Sequence, residues 1–388
     1  MGLYISGEDF LNSFNPDQVD ISRKYLSAKE LYKEIKNKSK ISRILKIPNR
    51  TMQEWLNGDK TPIPVKQLEK LEKIGLMPLQ ISENETSLLF VDIFSFLFGD
   101  GHLTKGLERC ILCGEIEDLR NIQFKLLQFY GIDSKIKFNT QTGYITKING
   151  KNLVKRKVVG KCNSLSLNCS ALARLFYIAG APRGDKVNQT FILPHWLFES
   201  TNLIKKHFLG VIFGNELSLP KLRAKNAFGT ILFGMHKSEQ HIESLINFLD
   251  QIRLLLSEFN IKTSVPKFEG LSCLRKDNIK SGKCYFLFNL SSENILNFYY
   301  SIPLLYSSSK MKKFSVMVNK VIKGASVYSR DWDIYDKAME LRAGGLGHVK
   351  IFNQLGLSKN YLYKLNSWIY YGNKPRFYNI RTFVQIKN

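Results

Sequence analysis

The sequence predicts an α+β protein that carries a small all-α segment at each end. Between about residues 86 and 325, helical stretches alternate with short runs rich in Val, Ile, Tyr and Phe, which is typical of mixed helices and strands. The segments 1–82 and 328–388 contain only helical patterns. A hydrophobic fraction of 44% supplies enough apolar side chains for packed cores, and 388 residues suit two or three domains.

The segment 1–82 contains a candidate helix-turn-helix. Residues 40–46 (KISRILK) form one short helical pattern, and residues 50–58 (RTMQEWLNG) form a second after a turn at 47–49. Gly58 and the prolines 62 and 64 end the second pattern. Two short helices joined by a tight turn, with basic and polar residues on the second, predict a DNA-binding module in which Arg50 contacts DNA.

The segment 328–388 repeats this plan. A helix, a turn at 356–358 and a second helix are followed by Gly-Asn-Lys-Pro, and Lys359 is the residue of this segment that we expect to contact DNA. Trp55 precedes Pro62 by seven positions, and Trp368 precedes Pro375 by the same number. We interpret the two segments as copies of one DNA-binding module. The alternative is that two small helical bundles share common Trp and Pro positions.

The charge balance predicts a polyanionic partner. Lys and Arg total 57 against 33 Asp and Glu, which leaves a formal charge of +24. Nucleic acid and an anionic membrane surface both fit such an excess, and a generally lysine-rich composition is the alternative. No apolar run approaches the roughly 20 residues that span a bilayer. The sequence therefore favours nucleic acid over a membrane.

The cysteines and the first residues predict a cytoplasmic location, in a compartment that contains DNA. The N-terminal stretch lacks a basic segment followed by an apolar one, so we expect no signal peptide. Without a secretion signal, we interpret the six scattered cysteines as reduced thiols. Cys110 and Cys113 form a CxxC, but no second ligand pair follows at zinc-site spacing, so we expect both in a core strand.

Two apolar helical stretches in the middle region resemble each other, and each ends in an acidic residue. The first, FVDIFSFLFGDGHL, covers 90–103 and contains Asp100; the second, HFLGVIFGNELS, covers 207–218 and contains Glu216. Their small residues would let the two helices pack closely and bring the carboxylates together; these residues are Ser95, Gly99, Gly210 and Gly214. Adjacent carboxylates repel unless a divalent cation lies between them.

These stretches and their surroundings resemble the LAGLIDADG homing endonuclease family in its two-motif, single-chain form. GAPRGDK at 180–186 and ILPHW at 192–196 are similar to the end of the family's first half, and strand and helix patterns recur in the same order after Glu216. The resemblance covers residues 88–325, about 60% of the chain. It implies two αββαββα-like halves, 86–200 and 201–325, related by pseudo-twofold symmetry and forming a β saddle on double-stranded DNA. A monomer is expected, because one chain supplies both halves.

The resemblance also implies a Mg²⁺-dependent endonuclease that hydrolyses phosphodiester bonds. Asp100 and Glu216 would bind the metal and act in catalysis, and Lys186 and Lys310 take the positions of the family's basic residues near the scissile phosphates. The alternatives for each lysine are simple phosphate positioning and a solvated surface charge. Basic stretches in both halves would contact DNA, through Lys135, Lys137, Lys147, Lys151, Lys155, Arg156, Lys157, Lys161, Lys221, Arg223 and Lys225.

Two departures from the family pattern leave other functions open. Leu217 stands where the second motif has a glycine, and an alternative register places Asn215 at the acidic position. A displaced carboxylate would reduce cleavage to nicking or abolish it. The family scaffold also occurs in DNA-binding regulators that do not cleave, and it can be recruited to structured RNA as an intron maturase. Both remain alternatives to the nuclease.

Overall fold

Five helices and a two-stranded sheet form the N-terminal region. The computed structural model describes residues 2–223 and 227–387. The elements here are β1 (Tyr4–Ile5), α1 (Gly7–Asn12), α2 (Pro16–Ile35), α3 (Lys38–Leu45), α4 (Asn49–Asn57), α5 (Ile63–Lys73) and β2 (Leu79–Gln80). Strands β1 and β2 pair in antiparallel fashion and join the two ends of this region. Gly58 ends α4 in a left-handed conformation, φ 85°, as the sequence predicts.

The middle region contains two successive halves with the same order of elements. The first comprises α6 (Glu85–Phe96), β3 (Gly101–Leu103), β4 (Cys110–Gly114), α7 (Ile116–Tyr130), β5 (Lys135–Asn149), β6 (Asn152–Leu167) and α8 (Ser170–Ile178). After α9 (His195–Glu199), the second comprises α10 (Asn202–Glu216), β7 (Leu232–Ser238), α11 (Ile242–Glu258), β8 (Lys267–Leu274), β9 (Lys280–Leu287) and α12 (Ser292–Ser301). An isolated bridge between Ser218 and Leu232 stands where the first half has β3.

The strands of both halves join in one curled antiparallel sheet of seven strands. Their order is β3-β4-β6-β5-β8-β9-β7. Strands β5, β6 and β4 of the first half correspond to β8, β9 and β7 of the second, and each pair lies equally many strands from the β5–β8 boundary. Across this boundary only two residue pairs are in register, Thr146 with Leu274 and Lys147 with Cys273. The chain therefore has a mixed α/β fold with an approximately twofold arrangement of strands.

Five further helices complete the chain. They are α13 (Ser308–Ser326), α14 (Ser329–Ala343), α15 (His348–Gln354), α16 (Asn360–Tyr371) and α17 (Arg381–Lys387). Helices α15 and α16 are joined by a short turn, and Gly372 ends α16 with φ 65°. The helical pattern predicted for this segment is thus confirmed, whereas contact of α4 and α16 with DNA stays a prediction.

One apolar core runs from the N-terminal helices through the sheet to α17, and a second, smaller core belongs to α14–α16. The N-terminal helices share their core with the middle region, so the boundary near residue 82 is not marked by a break in packing. The division into segments 1–82, 86–200, 201–325 and 328–388 stays a prediction. Within residues 2–223 and 227–387, no helix is long and apolar enough to cross a membrane.

Candidate functional site

The two acidic motif residues lie at the same end of a packed helix pair. Asp100 follows α6 in the turn that leads to β3, and Glu216 is the last residue of α10. The helices approach closely, since the Ser95 hydroxyl of α6 donates a hydrogen bond of 2.6 Å to the Phe208 carbonyl of α10. A Cβ atom on Gly99 would lie 3.6 Å from Cγ of Glu216. Close packing therefore brings both acids to one site.

Two of the four small residues do not serve the helix pair. A Cβ atom on Gly210 would overlap the Pro303 carbonyl, and one on Gly214 would overlap that of Leu305. The Leu305 amide also donates to the Gly210 carbonyl, at 3.1 Å. The expectation that all four pack helix against helix is therefore wrong for these glycines, whose neighbour is the segment after α12.

The departure at Leu217 is accommodated by ordinary backbone geometry. In the first motif, a Cβ on Gly101 would lie 2.5 Å from the Phe96 carbonyl oxygen, so the turn after α6 requires glycine. Leu217 instead has φ −72° and ψ 131°, an extended conformation open to any residue, and its side chain is buried. The second helix thus ends without the turn that makes glycine necessary in the first.

Each candidate lysine binds carbonyl oxygens at the end of one motif helix. Nζ of Lys186 donates to the carbonyls of Gly99 and Gly101, the latter at 2.7 Å. Nζ of Lys310 donates to the carbonyls of Gly214 and Asn215, at 2.6 and 3.0 Å. An ammonium group has three N–H donors, so among the described residues each lysine has carbonyl partners for two of them.

The four ionisable groups influence one another. Burial, and then the charge of Asp100, raises the pKa of Glu216 to about 7, against the opposing effect of Lys186 and Lys310. Partial loss of hydration raises the pKa of Asp100, which the same two lysines oppose. Burial lowers the pKa of Lys186 to about 8, although Glu216 and Asp100 act to raise it. The residues predicted from separate parts of the sequence thus form one electrostatic cluster.

A cleft of about 430 Å³ opens at this cluster. Asp100 and Lys310 line it together with Asn215, the alternative acidic position, and with residues that the sequence did not assign to the site: Cys113, Cys162, Asn163, Tyr306 and Ser307. Cys110 is a buried strand residue as expected, but the half-buried Cys113 faces the cleft instead of the core. Within the described chain, the buried Nδ2 of Asn215 has no hydrogen-bond partner.

The donor set at the helix ends fits a hard divalent cation. Mg²⁺ prefers carboxylate oxygens, usually from one or two side chains, with water in its remaining positions. Asp100 and Glu216 offer such a site, because the charge of Asp100 raises the pKa of Glu216 and a cation would relieve this repulsion. No cluster of three or more His, Cys, Asp or Glu suited to a metal occurs in residues 2–223 and 227–387. Asp100 and Glu216 are the residues that would hold a cation here.

A buried polar network ties the same two helices together at another point. Asp92 of α6 forms a 2.7 Å hydrogen bond with Nδ1 of His207 of α10 and accepts a 2.7 Å hydrogen bond from the Tyr306 hydroxyl. Lys125 of α7 in turn donates to that hydroxyl at 3.1 Å. Sequence reasoning missed this network, because its members lie up to 214 residues apart.

The long hairpin β5–β6 presents its basic residues on two faces. Strand register and alternation place the following on one face: Lys135, Lys137, Lys147 and Arg156. The opposite face carries Lys155, Lys157 and Lys161, and Lys151 lies in the connecting turn. All eight are exposed, as are Arg50, Lys221, Arg223 and Lys359. Lys225 lies outside the described residues. The basic side chains predicted to contact DNA are thus accessible, but those of the hairpin lie on opposite faces, so a partner bound to one face cannot contact all of them.

Comparison with known proteins finds relatives that are much longer than the match. No family model matches the chain. An RNA polymerase subunit, Rpo1N, of Methanocaldococcus jannaschii is 32% identical over 56% of this chain and 16% of its own length. The replication factor C small subunit of the same organism is 25% identical over 62% of this chain and 12% of its own length. The tRNA-splicing ligase RtcB of Pyrococcus furiosus is 28% identical over 63% of this chain and 24% of its own length.

Among solved structures, the homing endonuclease I-DmoI in complex with its target DNA and Mn is similar, with a TM-score of 0.32 and 10% identity. The match covers 60% of this chain and all of that one. Full-length WhiA from Thermatoga maritima has a TM-score of 0.31 and 13% identity, over 82% of this chain and 96% of its own. Scores this low do not establish a shared fold.

Proposed function

We propose that this protein is a LAGLIDADG-type endonuclease that binds double-stranded DNA and hydrolyses its phosphodiester bonds with Mg²⁺. One observation carries the proposal. Two carboxylates meet at the ends of paired helices, and each helix end also binds a lysine ammonium group. Converging acids and bases with perturbed pKa values are typical of catalytic sites.

The roles of the four residues follow from their chemistry. Asp100 and Glu216 would hold the cation, which when bound lowers the pKa of water and neutralises phosphate charge. Lys186 and Lys310 are held by the helix-end carbonyls. Each has one remaining N–H to direct at a phosphate oxygen, where it would stabilise the charge that develops during hydrolysis.

The exposed basic residues support a DNA backbone as the partner. Each phosphate neutralised by a lysine or arginine releases counterions, so affinity should fall with salt by a log–log slope of about −0.9 per contact. The hairpin β5–β6 and the exposed Arg50 and Lys359 supply such contacts on separate parts of the molecule. We therefore expect a long binding site with a steep salt dependence.

The relatives support a module with an activity of its own. Each match covers more than half of this chain, so the matched regions must overlap. The chain spans only 12 to 24% of these three proteins, whose names describe a polymerase subunit, a replication factor and an RNA ligase. A part shared by proteins with such different names is expected to act independently of the function that each name describes.

Cleavage of plasmid libraries tests the proposal. Wild type, Asp100→Asn and Glu216→Gln would be incubated with supercoiled DNA and Mg²⁺, with Glu72→Gln, an exposed carboxylate of α5, as the control. We expect the wild type and the control to linearise a plasmid that carries the target. The two site variants should bind it equally well and leave it intact or nicked.

Other outcomes would identify the alternatives. Equal binding by all four proteins without cleavage by any would reject the nuclease and indicate a DNA-binding regulator. The exposed Arg50 and Lys359 on α4 and α15–α16 favour that reading as the second candidate. Tighter binding to a folded intron than to any duplex would instead indicate a maturase.

A further inference from the structure

The turn that carries Lys186 belongs to the first half but is held by the second. The Ser238 hydroxyl, at the end of β7, donates a 2.9 Å hydrogen bond to the Val187 carbonyl. Its neighbour Lys237 donates to the Gln189 carbonyl, and its Nζ lies 3.9 Å from the centre of the Phe191 ring. Only 2% of Lys237 is exposed. Strand β7 thus binds the residues directly after Lys186.

The other side of the same turn is held by the β8–β9 connection. Asp185 begins the turn by accepting a 3.0 Å bond from the Val187 amide, and it forms a 2.7 Å ion pair with Arg275. Asn188 donates to Asp185 at 3.0 Å and to Asp277 at 3.2 Å. Two separate elements of the second half therefore fix the backbone on both sides of Lys186.

The segment that carries Lys310 shows the converse arrangement. It begins α13, in the last part of the second half (201–325), and its first residues bind the start of α7 in the first half. Asp118 accepts hydrogen bonds of 3.2 and 3.3 Å from the amide and hydroxyl of Ser308, and Glu115 accepts one from the Ser309 hydroxyl. Asp118 is 8% exposed. A carboxylate beside unpaired amides stabilises a helix N-terminus, so the first half fixes the start of α13.

We propose that each lysine of the site is positioned by the opposite half: Lys186 by Lys237, Ser238 and Arg275, and Lys310 by Asp118 and Glu115. The inference about cleavage rests on the proposed function, but the positioning itself does not. Neither half would then assemble a complete site alone. The strands of a duplex are related by a twofold axis, as the halves approximately are, so each lysine would serve one strand.

Burial of Lys237 supports a positioning role. Loss of hydration lowers its pKa to about 8, a cost that a methionine of similar length would avoid. What a methionine could not supply is the donor for the Gln189 carbonyl. Lys237 binds the Gln189 carbonyl and packs on the Phe191 ring, three and five residues after Lys186. Both contacts restrain the backbone that carries Lys186, so we interpret Lys237 as a positioning residue.

Amine labelling tests the positioning without any need for cleavage. Full-length wild type, Lys237→Met and Asp118→Asn would be treated with acetic anhydride, and the modification of each lysine would be measured by mass spectrometry relative to the exposed Lys320. We expect Lys237→Met to speed labelling of Lys186 by about threefold or more, because a loosened segment opens more often, and to leave Lys310 unchanged. Asp118→Asn should do the reverse.

Matched variants keep this test decisive. Lys66→Met and Asp133→Asn, both at exposed positions, should change neither lysine. If Lys237→Met does not fold, Arg275→Gln on the β8–β9 connection replaces it. Unchanged labelling of both lysines in the folded variants, or equal changes at both, would overturn the proposal.

Strand-resolved cleavage then links positioning to chemistry. With Mg²⁺ and a target duplex labelled on each strand, Lys237→Met should slow the same strand as Lys186→Met, by about tenfold or more, and spare the other. Asp118→Asn should match Lys310→Met on the opposite strand. If the wild type does not cleave while the labelling pattern holds, the nuclease proposal fails and the positioning stands.

Discussion

At the scale of single residues, Glu216 is the most perturbed acid of the site. Burial and the neighbouring Asp100 raise its pKa to about 7, so without metal the carboxyl is close to half protonated at neutral pH. A bound cation would favour the ionised form. Metal binding at this site should therefore weaken as the pH falls below about 7.

The pH dependence of stability gives a direct measure of this perturbation. An acid whose pKa is raised in the folded state contributes stability at low pH and loses it as the pH rises from about 4.5 to about 7. In EDTA, we expect Glu216→Gln to be about as stable as wild type near pH 4.5. At pH 8 it should be more stable by about 1–3 kcal/mol.

Urea unfolding at the two pH values would provide the measurement, with Glu72→Gln as the exposed control. The control should differ from wild type by the same amount at both pH values. If Glu216→Gln changes the free energy of unfolding by the same amount at both pH values, ionisation of Glu216 does not destabilise the folded protein. The carboxyl would then be better hydrated than its burial indicates.

The sequence could identify the site residues that lie in a motif, and no others. Asp100, Glu216, Lys186 and Lys310 were found because each occupies a recognisable local pattern, and the structure brings all four together. Asp118 and Lys237 have no such pattern. Their partners lie 190 and 48 residues away, and a single sequence carries no signal for contacts of that kind.

At the scale of elements, the helix pair α6–α10 explains why small residues were assigned incorrectly. Ten consecutive residues of α6, from Ser87 to Phe96, are buried, and most of α10 is buried on every side. A helix that is apolar all round gives no amphipathic stripe to show which neighbour each face meets. Composition therefore indicated close packing at Gly210 and Gly214 but could not indicate the partner.

Replacing Gly214 by alanine tests its contact with the segment after α12. The added Cβ would lie closer than 3.0 Å to the Leu305 carbonyl oxygen, and a backbone atom cannot move aside as the end of a flexible side chain can. We expect Gly214→Ala to destabilise the protein by about 1–3 kcal/mol or more, measured by urea unfolding. Labelling of Lys310 should also increase, because the displaced segment leads directly into α13.

Gly143→Ala is the matched control. Gly143 lies in β5, nothing is within 4 Å of its added Cβ, and its backbone conformation suits any residue. The stability of this variant should therefore stay close to that of wild type. Equal effects of the two substitutions would indicate that helix α10 shifts freely, and that the close approach to Leu305 has no energetic consequence.

At the scale of the whole molecule, the order of elements was predictable and the joining of the halves was not. Helical and strand periodicities recur twice in the sequence, so their order could be read from it. The β5–β8 pairing joins two strands through only two residue pairs, whose partners lie 128 and 126 positions apart in the chain. Periodicity within a strand does not show which strand edge it pairs with.

A cleft lies at the β5–β8 pairing. The space between the hairpin β5–β6, Val187 and the β8–β9 connection measures about 900 Å³. The major groove of B-DNA admits a two-stranded β-ribbon, whereas the β5–β8 pairing makes the hairpin β5–β6 part of a wider sheet. We therefore expect a duplex that takes this hairpin into its major groove to require separation of β5 and β8.

A single substitution can lock the two strands together. Lys147 is the register partner of Cys273, and directly opposed residues of antiparallel strands lie within disulfide range. We expect Lys147→Cys, oxidised with diamide, to bind duplex DNA at least about tenfold more weakly than the same protein after reduction. Lys147→Ser has lost the same charge but cannot form the bond, so it should bind equally well with either treatment. If the locked protein binds like the reduced one, the closed sheet itself is the DNA-binding surface, and the strands need not part.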